Sequence, residues 1–252
     1  MTIRGVGLHS GETSAVRFHP DEGPVRFWVG GCELYPLASR VVDTTRCTVL
    51  GQGGLRLMTV EHLLAALFIR GIWEGLVIEV AGPEVPILDG SAQEWLAALE
   101  HFPALGPEAR PLGGAIRVEE GRSSVLAQPG EQFALTTTIL FPHPKIGYQQ
   151  VQCPPTPLHA LAPARTFGFL HEVEAMRARG LIQGASLGNA LVFSEHGLVN
   201  TPRMLHEPVY HKALDFLGDL YLAGRPYQGQ FVAHRASHRL HVKLAGLLEG
   251  AV

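Results

Sequence analysis

The sequence has little of what marks several large classes of protein. Cysteine occurs three times in 252 residues, as Cys32, Cys47 and Cys153. With an odd count and no Cys-x-x-Cys pair, the cysteines argue against a disulfide framework or a thiolate zinc cluster and read as free thiols of a reducing compartment. Charge is sparse too. Lys and Arg number 20 against 23 Asp and Glu, a formal net charge of −3, and charged residues make up 17% where about 25% is usual. No basic run exceeds a pair, so the electrostatic footprint of a nucleic-acid binder is missing. Long apolar runs are absent as well: Leu63 to Val80, the most apolar segment, is interrupted by Arg70 and Glu74. The first residues, Met1-Thr-Ile-Arg-Gly-Val-Gly7, lack the apolar core of a secretory signal. The expectation is a cytosolic protein without a membrane span or nucleic-acid partner, with monomer as the default state.

What is present is a globular chain, 46% apolar and long enough for one large domain or two ordinary ones. From Gly5 to Leu57 short apolar runs alternate with Gly, Pro and Asp: residues 14–18, 25–29 and 47–50 read as strands. Thr59 can cap a buried helix from Val60 to Arg70, ended by Gly71. Leu76 to Val80 is a strand by its β-branched content. Ser91-Ala-Gln-Glu94 has the form of a capping box ahead of a second helix at Trp95. Three prolines and three glycines between Phe102 and Gly114 mark a linker, which predicts an N-terminal domain of residues 1–108 and a C-terminal domain of residues 109–252.

The second half repeats the order of the first. Strands at 115–118, 124–127 and 133–141 precede a helix from His171 to Arg179, a strand at 190–193, and a long helix at about 209–223. A strand at 231–235 and a last helix from His238, capped by Ser237, complete it. Strands grouped with strands, and helices packed on them, make the fold class α+β rather than a strict βαβ alternation.

The chemistry concentrates in two of these helices. His211 and Asp215 lie four residues apart on one helical face, and Asp219 continues the stripe one turn further. Spacing alone also fits a solvated face, but the neighbours Leu214, Phe216, Leu217 and Leu220 turn that face inward, where charges need partners. Should His62 arrive from the earlier helix, two imidazoles and a carboxylate would leave a tetrahedral zinc one open position for water. Iron would also accept such a set. Glu61 diverges from His62 by about 100° around the helix, which puts it beside such an ion as a general base rather than on it. The bland alternative, a Glu-His pair merely starting a helix, stands beside this reading.

Six segments in order, Gly5-Val-Gly-Leu-His-Ser-Gly11, Thr59-Val-Glu-His-Leu63, Pro86-Ile-Leu-Asp-Gly-Ser91, Ala164-Arg-Thr-Phe-Gly-Phe169, His211 to Leu220 and Ser237-His238, give the chain its affinity. It resembles the UDP-3-O-acyl-N-acetylglucosamine deacetylases, zinc amidases of lipid A synthesis. The resemblance implies two two-layer α/β sandwich domains with the helices between the sheets, and an acylated UDP-amino-sugar as substrate. It implies His62, His211 and Asp215 as metal ligands, Glu61 as general base and His238 as the acid that protonates the leaving amine. Lys212 and Thr166 would stabilise the oxyanion, and Asp219 would hold His238 charged. An insertion at about 167–191 would form the acyl passage, with Phe167, Leu170, Val173, Ile182 and Ala185 on its wall. Three positions depart from the family's usual residues: Ser237, Gly188 and Arg225. An amidase for a different N-acyl sugar, or a non-catalytic sugar-nucleotide or lipid binder, remains the competing expectation.

Overall fold

Alternation of apolar and polar residues builds two sheets, each buried on one face, in the computed structural model, which describes residues 2–250. In the first half, β1 (Thr2–Val6), β2 (Thr13–Pro24), β3 (Arg26–Val29) and β4 (Cys32–Leu34) precede three short strands, β5 (Val41–Asp43), β6 (Val49–Gln52) and β7 (Leu55–Leu57). Helix α1 (Glu61–Arg70), β8 (Glu74–Ala81) and helix α2 (Gln93–Ala98) follow. The second half runs from β9 (Arg110–Pro111) through β10 (Ile116–Glu120), β11 (Ser123–Gln128), β12 (Ala134–Phe141) and β13 (Gly147–Cys153). It continues with β14 (Phe167–Phe169), α3 (Val173–Ala178), β15 (Leu191–Phe193), α4 (Glu207–Tyr221), β16 (Tyr227–Gln228), β17 (Gln230–His234) and α5 (His238–Glu249).

The two sheets have one topology. Their strand orders are β1-β2-β8-β3-β4 and β10-β11-β17-β12-β13, and in each the third and fourth strands run parallel while the other neighbours are antiparallel. The fold is thus α+β in two similar domains. Each parallel pair needs a long crossover. In the first half it carries β5 to β7 and α1; in the second it carries β14, α3, β15 and α4. The crossover helices α1 and α4 pack on one another, α4 also lies on β12 and β13, and α5 lies on β10 and β11. Val16, Ile78 and Phe27 point inward from the first sheet and Val125, Phe231 and Leu135 from the second, into one continuous apolar cluster. Tyr221 at the end of α4 stacks on Trp73 at 4.1 Å and donates its hydroxyl to the Ile72 carbonyl, pinning the halves together.

Several local expectations need correction. Thr59 does not cap α1: it sits at φ +58°, and its hydroxyl donates to Glu84 Oε1 instead. Ser91 and Glu94 form no capping box, because the Ser91 hydroxyl is engaged with Asp89 and the helix starts at Gln93. The Ser237 side chain makes no cap bond; its carbonyl begins α5 by accepting from Leu240 and His241. The helix expected from His171 to Arg179 shortens to Val173–Ala178, preceded by one 3-10 turn. Strand β13, polar in sequence, was not expected. Pairing along β12 over seven residues holds it.

Candidate active site at the junction of the two halves

Helix α4 crosses the middle of the molecule with only Tyr210 and Lys212 short of full burial. It reaches that place because the other helix can come close. A Cβ on Gly218 would lie 2.0 Å from the Glu61 carbonyl oxygen, so the α1–α4 approach requires glycine there. At the N-terminal end of α4, Glu207 is buried and accepts from the Arg165 Nε at 2.9 Å, the Arg165 backbone N–H at 3.0 Å and the Arg203 N–H at 2.7 Å. These bonds fix the Ala164-Arg165-Thr166 loop against α4. The loop in turn presents the Ala164 carbonyl to His211 Nδ1 at 3.1 Å.

With Nδ1 donating, His211 turns its Nε2 toward Asp215, 3.3 Å from Oδ1. His62, from the first turn of α1, sets its Nε2 3.7 Å from the same oxygen, with its ring edge-on to that of His211. The ligand atoms of His62, His211 and Asp215 all lie within 4.8 Å of one another. Asp215 Oδ1 is buried and has no hydrogen-bond partner, while Oδ2 accepts from Lys212 Nζ at 2.8 Å. Burial and the neighbouring His211 push His62 down to about 3, and burial lowers His211 against the pull of Asp215, so both imidazoles are neutral. Burial alone would raise Asp215; His211, Lys212 and their neighbours hold it well below the usual carboxylate range. An orphaned, ionised oxygen facing two neutral imidazole nitrogens is a donor set that fits a divalent cation.

Beside this group stand Glu61 and His238, with Nε2 3.9 Å from Oε1. Glu61 Oε2 accepts from the Thr48 N–H at 3.1 Å, and burial pushes its carboxyl up to about 8 against the charge of His238. Burial would lower His238, but the carboxylates of Asp219, Asp215 and Glu61 outweigh it and lift the imidazole to about 9. Asp219 Oδ2 lies 2.7 Å from His238 Nδ1. Asp219, His238 and His241 form a second cluster of possible ligand atoms, but both imidazoles are already hydrogen-bonded through Nδ1 to the Asp219 carboxylate.

The cavity over these groups, about 360 Å³, is lined by Glu61, His62, Thr166, Phe167, Lys212 and His238 among others. Among the sequence-derived acyl-wall residues only Phe167 lines it. Leu170 is 53% exposed, and Val173, Ile182 and Ala185 sit half-buried in the insertion. Phe141, shared with a neighbouring depression lined also by His143 and Phe169, was missed from the sequence. The Phe167/Phe169 spacing of two on one strand was the available hint, since it puts both rings on one face. Thr48 and His241 were missed as well. Thr48 had no signal; His241 had its spacing of three from His238. Of the departures, Ser237 lines the cavity, whereas Gly188 and Arg225 do not.

Comparison with known proteins agrees over the whole length. The family model described as UDP-3-O-acyl N-acetylglycosamine deacetylase matches residues 1–249. Proteins named UDP-3-O-acyl-N-acetylglucosamine deacetylase from Thermosynechococcus vestitus, Syntrophotalea carbinolica and Leptospira biflexa are 45%, 40% and 36% identical to the chain. The alignments cover 96%, 96% and 97% of it, and 88%, 82% and 86% of those proteins. With the match running through both halves and every segment that builds the cavity, the chain belongs to the UDP-3-O-acyl-N-acetylglucosamine deacetylase family.

Proposed function

We propose that this chain hydrolyses the N-acetyl group of a UDP-3-O-acyl-N-acetylglucosamine, giving acetate and the free amine, the committed step of lipid A synthesis. The observation that carries the reading is the unpartnered, buried Asp215 Oδ1 facing His62 and His211, with a carboxylate and a charged imidazole alongside. Those three residues would hold zinc, or ferrous iron, which polarises an amide carbonyl and acidifies a water molecule when bound. Glu61 takes the proton of the attacking water as the new C–O bond forms. A cation beside Glu61 favours its ionised form, opposing the burial that raises it. His238, charged below about pH 9, donates from Nε2 to the nitrogen as the C–N bond breaks. Lys212 and Thr166 flank the cavity where the carbonyl oxygen gathers charge.

The acyl chain fits the aromatic side of the site. Phe141 and Phe167 meet edge-on at 5.4 Å and lead to Phe169 and the insertion at about 167–191. The domain division near residue 108 and a cytosolic location belong to the same reading. Among the described residues no helix is long and apolar enough to cross a membrane.

The test is acetate release from the acylated UDP-sugar by metal-loaded protein, beside Glu61→Ala. The variant should keep its metal and lose about 10²–10⁴ in turnover. Fully metallated parent that releases no acetate would overturn the proposal.

A further inference from the structure

Asp219 is fully buried and receives three side-chain donors from two distant parts of the chain, the segment ahead of β6 and the first turn of α5. Its Oδ1 accepts from Thr48 Oγ1 at 2.5 Å, and its Oδ2 from His238 Nδ1 at 2.7 Å and from His241 Nδ1 at 2.9 Å. Only His238 of these donors lines the cavity. Thr48, just ahead of β6, holds Glu61 as well, through its backbone N–H at 3.1 Å. His241 stands one turn along α5 from His238, with its ring edge-on to Phe216 at 5.1 Å. A carboxylate bonded to one partner alone is free to swing about its broad terminal torsion. Donors on both oxygens remove that freedom and satisfy the buried charge.

We propose that Thr48 and His241 are positioning residues for the acid–base step: together they clamp Asp219 so that its Oδ2 sets the His238 ring with Nε2 toward the substrate. Through its N–H, Thr48 also ties this clamp to Glu61, so base and acid are spaced by one residue that lies outside the cavity lining. The inference rests on the proposed deacetylation, because it concerns the residues that handle its protons.

Thr48→Val keeps the shape and the backbone N–H to Glu61 and removes only the hydroxyl. His241→Leu removes the second donor on Oδ2. In metal-loaded full-length protein each should lower kcat on the order of tenfold, the factor that a charge-assisted hydrogen bond represents. KM and metal content should stay unchanged. Thr48→Ser restores the hydroxyl, and His241→Asn places an amide donor at the position of Nδ1, so both should recover most of the rate. In an Asp219→Asn background, Thr48→Val and His241→Leu should cost nothing further. Histidine ¹⁵N spectra of the parent should show the Nδ1–H of both His238 and His241 in hydrogen bonds, and His241→Leu should shift the His238 signal. That spectrum still tests the clamp if the parent proves to release no acetate, which would fail the functional reading alone. Unchanged kcat in the Val and Leu variants, or losses that Ser and Asn do not rescue, or losses that add to Asp219→Asn, would each overturn the assignment.

Discussion

The first and second halves lay down the same five-stranded sheet with the same strand directions, yet they contribute unequally to the site. From the first half, α1 offers only Glu61 and His62; the remaining buried residues of this helix are leucine and alanine. From the second half, α4 carries His211, Asp215 and Asp219 through its length, and α5 adds His238 and His241. Polar groups at the tip of a helix can keep one side toward a cavity and demand little of the packing around them. A polar stripe on a helix buried all round is costlier, because each charge must find a donor inside the protein. Helix α4 meets that demand carboxylate by carboxylate: Glu207 with Arg165, Asp215 with Lys212, and Asp219 with Thr48, His238 and His241. One sheet topology therefore supports two kinds of helix, and the one with more buried charge recruits the longer list of distant partners.

Removing a ligand tests the contrast most severely. If the metal group is shared, His62→Ala from the first half and Asp215→Ala from the second should abolish stoichiometric zinc binding alike, and activity with it, by elemental analysis and acetate release. Retention of the ion by either variant would assign it to one half alone.

Next in size is Glu207→Ala, which leaves Arg165 buried without its partner and should destabilise the protein by about 3–5 kcal/mol in denaturant titration. Burial raises Glu207, but its bonds to Arg165 and Arg203 hold it below the ordinary 4.5. A depressed carboxylate contributes its stability in full above 4.5 and loses it as the pH falls through the lowered value. The variant should accordingly lose less stability than the parent between pH 4.5 and strongly acid solution.

Gly218→Ala should cost about 1–3 kcal/mol by overpacking, and should also weaken metal affinity, since it forces α4 off α1. An equivalent loss of stability with metal affinity intact would mean that the close approach serves packing only.

Asp219→Asn tests the charge that α4 sets beside His238. Without that charge the folded pKa of His238 drops from about 9, and because His238 must be protonated to donate, the alkaline limb of the activity profile moves toward acid. The limb reports a coupled site, so its displacement rather than its absolute position is the measurement. An unmoved limb would take His238 out of the acid role.

The smallest effect is expected in the insertion of the second crossover. Val173→Glu or Ile182→Glu changes a half-buried position, so stability should shift little. The KM for acylated substrate should rise while that for a substrate lacking the chain stays level. Equal rises would return the acyl chain to the Phe141 and Phe169 depression alone.

By itself the sequence determined what is periodic and local. The spacing of four brought His211 and Asp215 to one helical face, the adjacency of Glu61 and His62 turned their side chains about 100° apart around α1, and alternation wrote most of the strands. The order of motifs carried the family. Tertiary structure decided the rest, for a physical reason: hydrogen bonds between residues far apart in the chain leave no period to read. Thr48 reaches Asp219 across 171 positions, Arg165 reaches Glu207 across 42, and Thr59 abandons its cap to reach Glu84. Strand β13 exists because β12 offers it a partner, not because its own residues alternate strongly. Gly218 looks like any glycine inside a helix until α1 is packed against it, and only then does the missing Cβ become the condition on which the two halves meet.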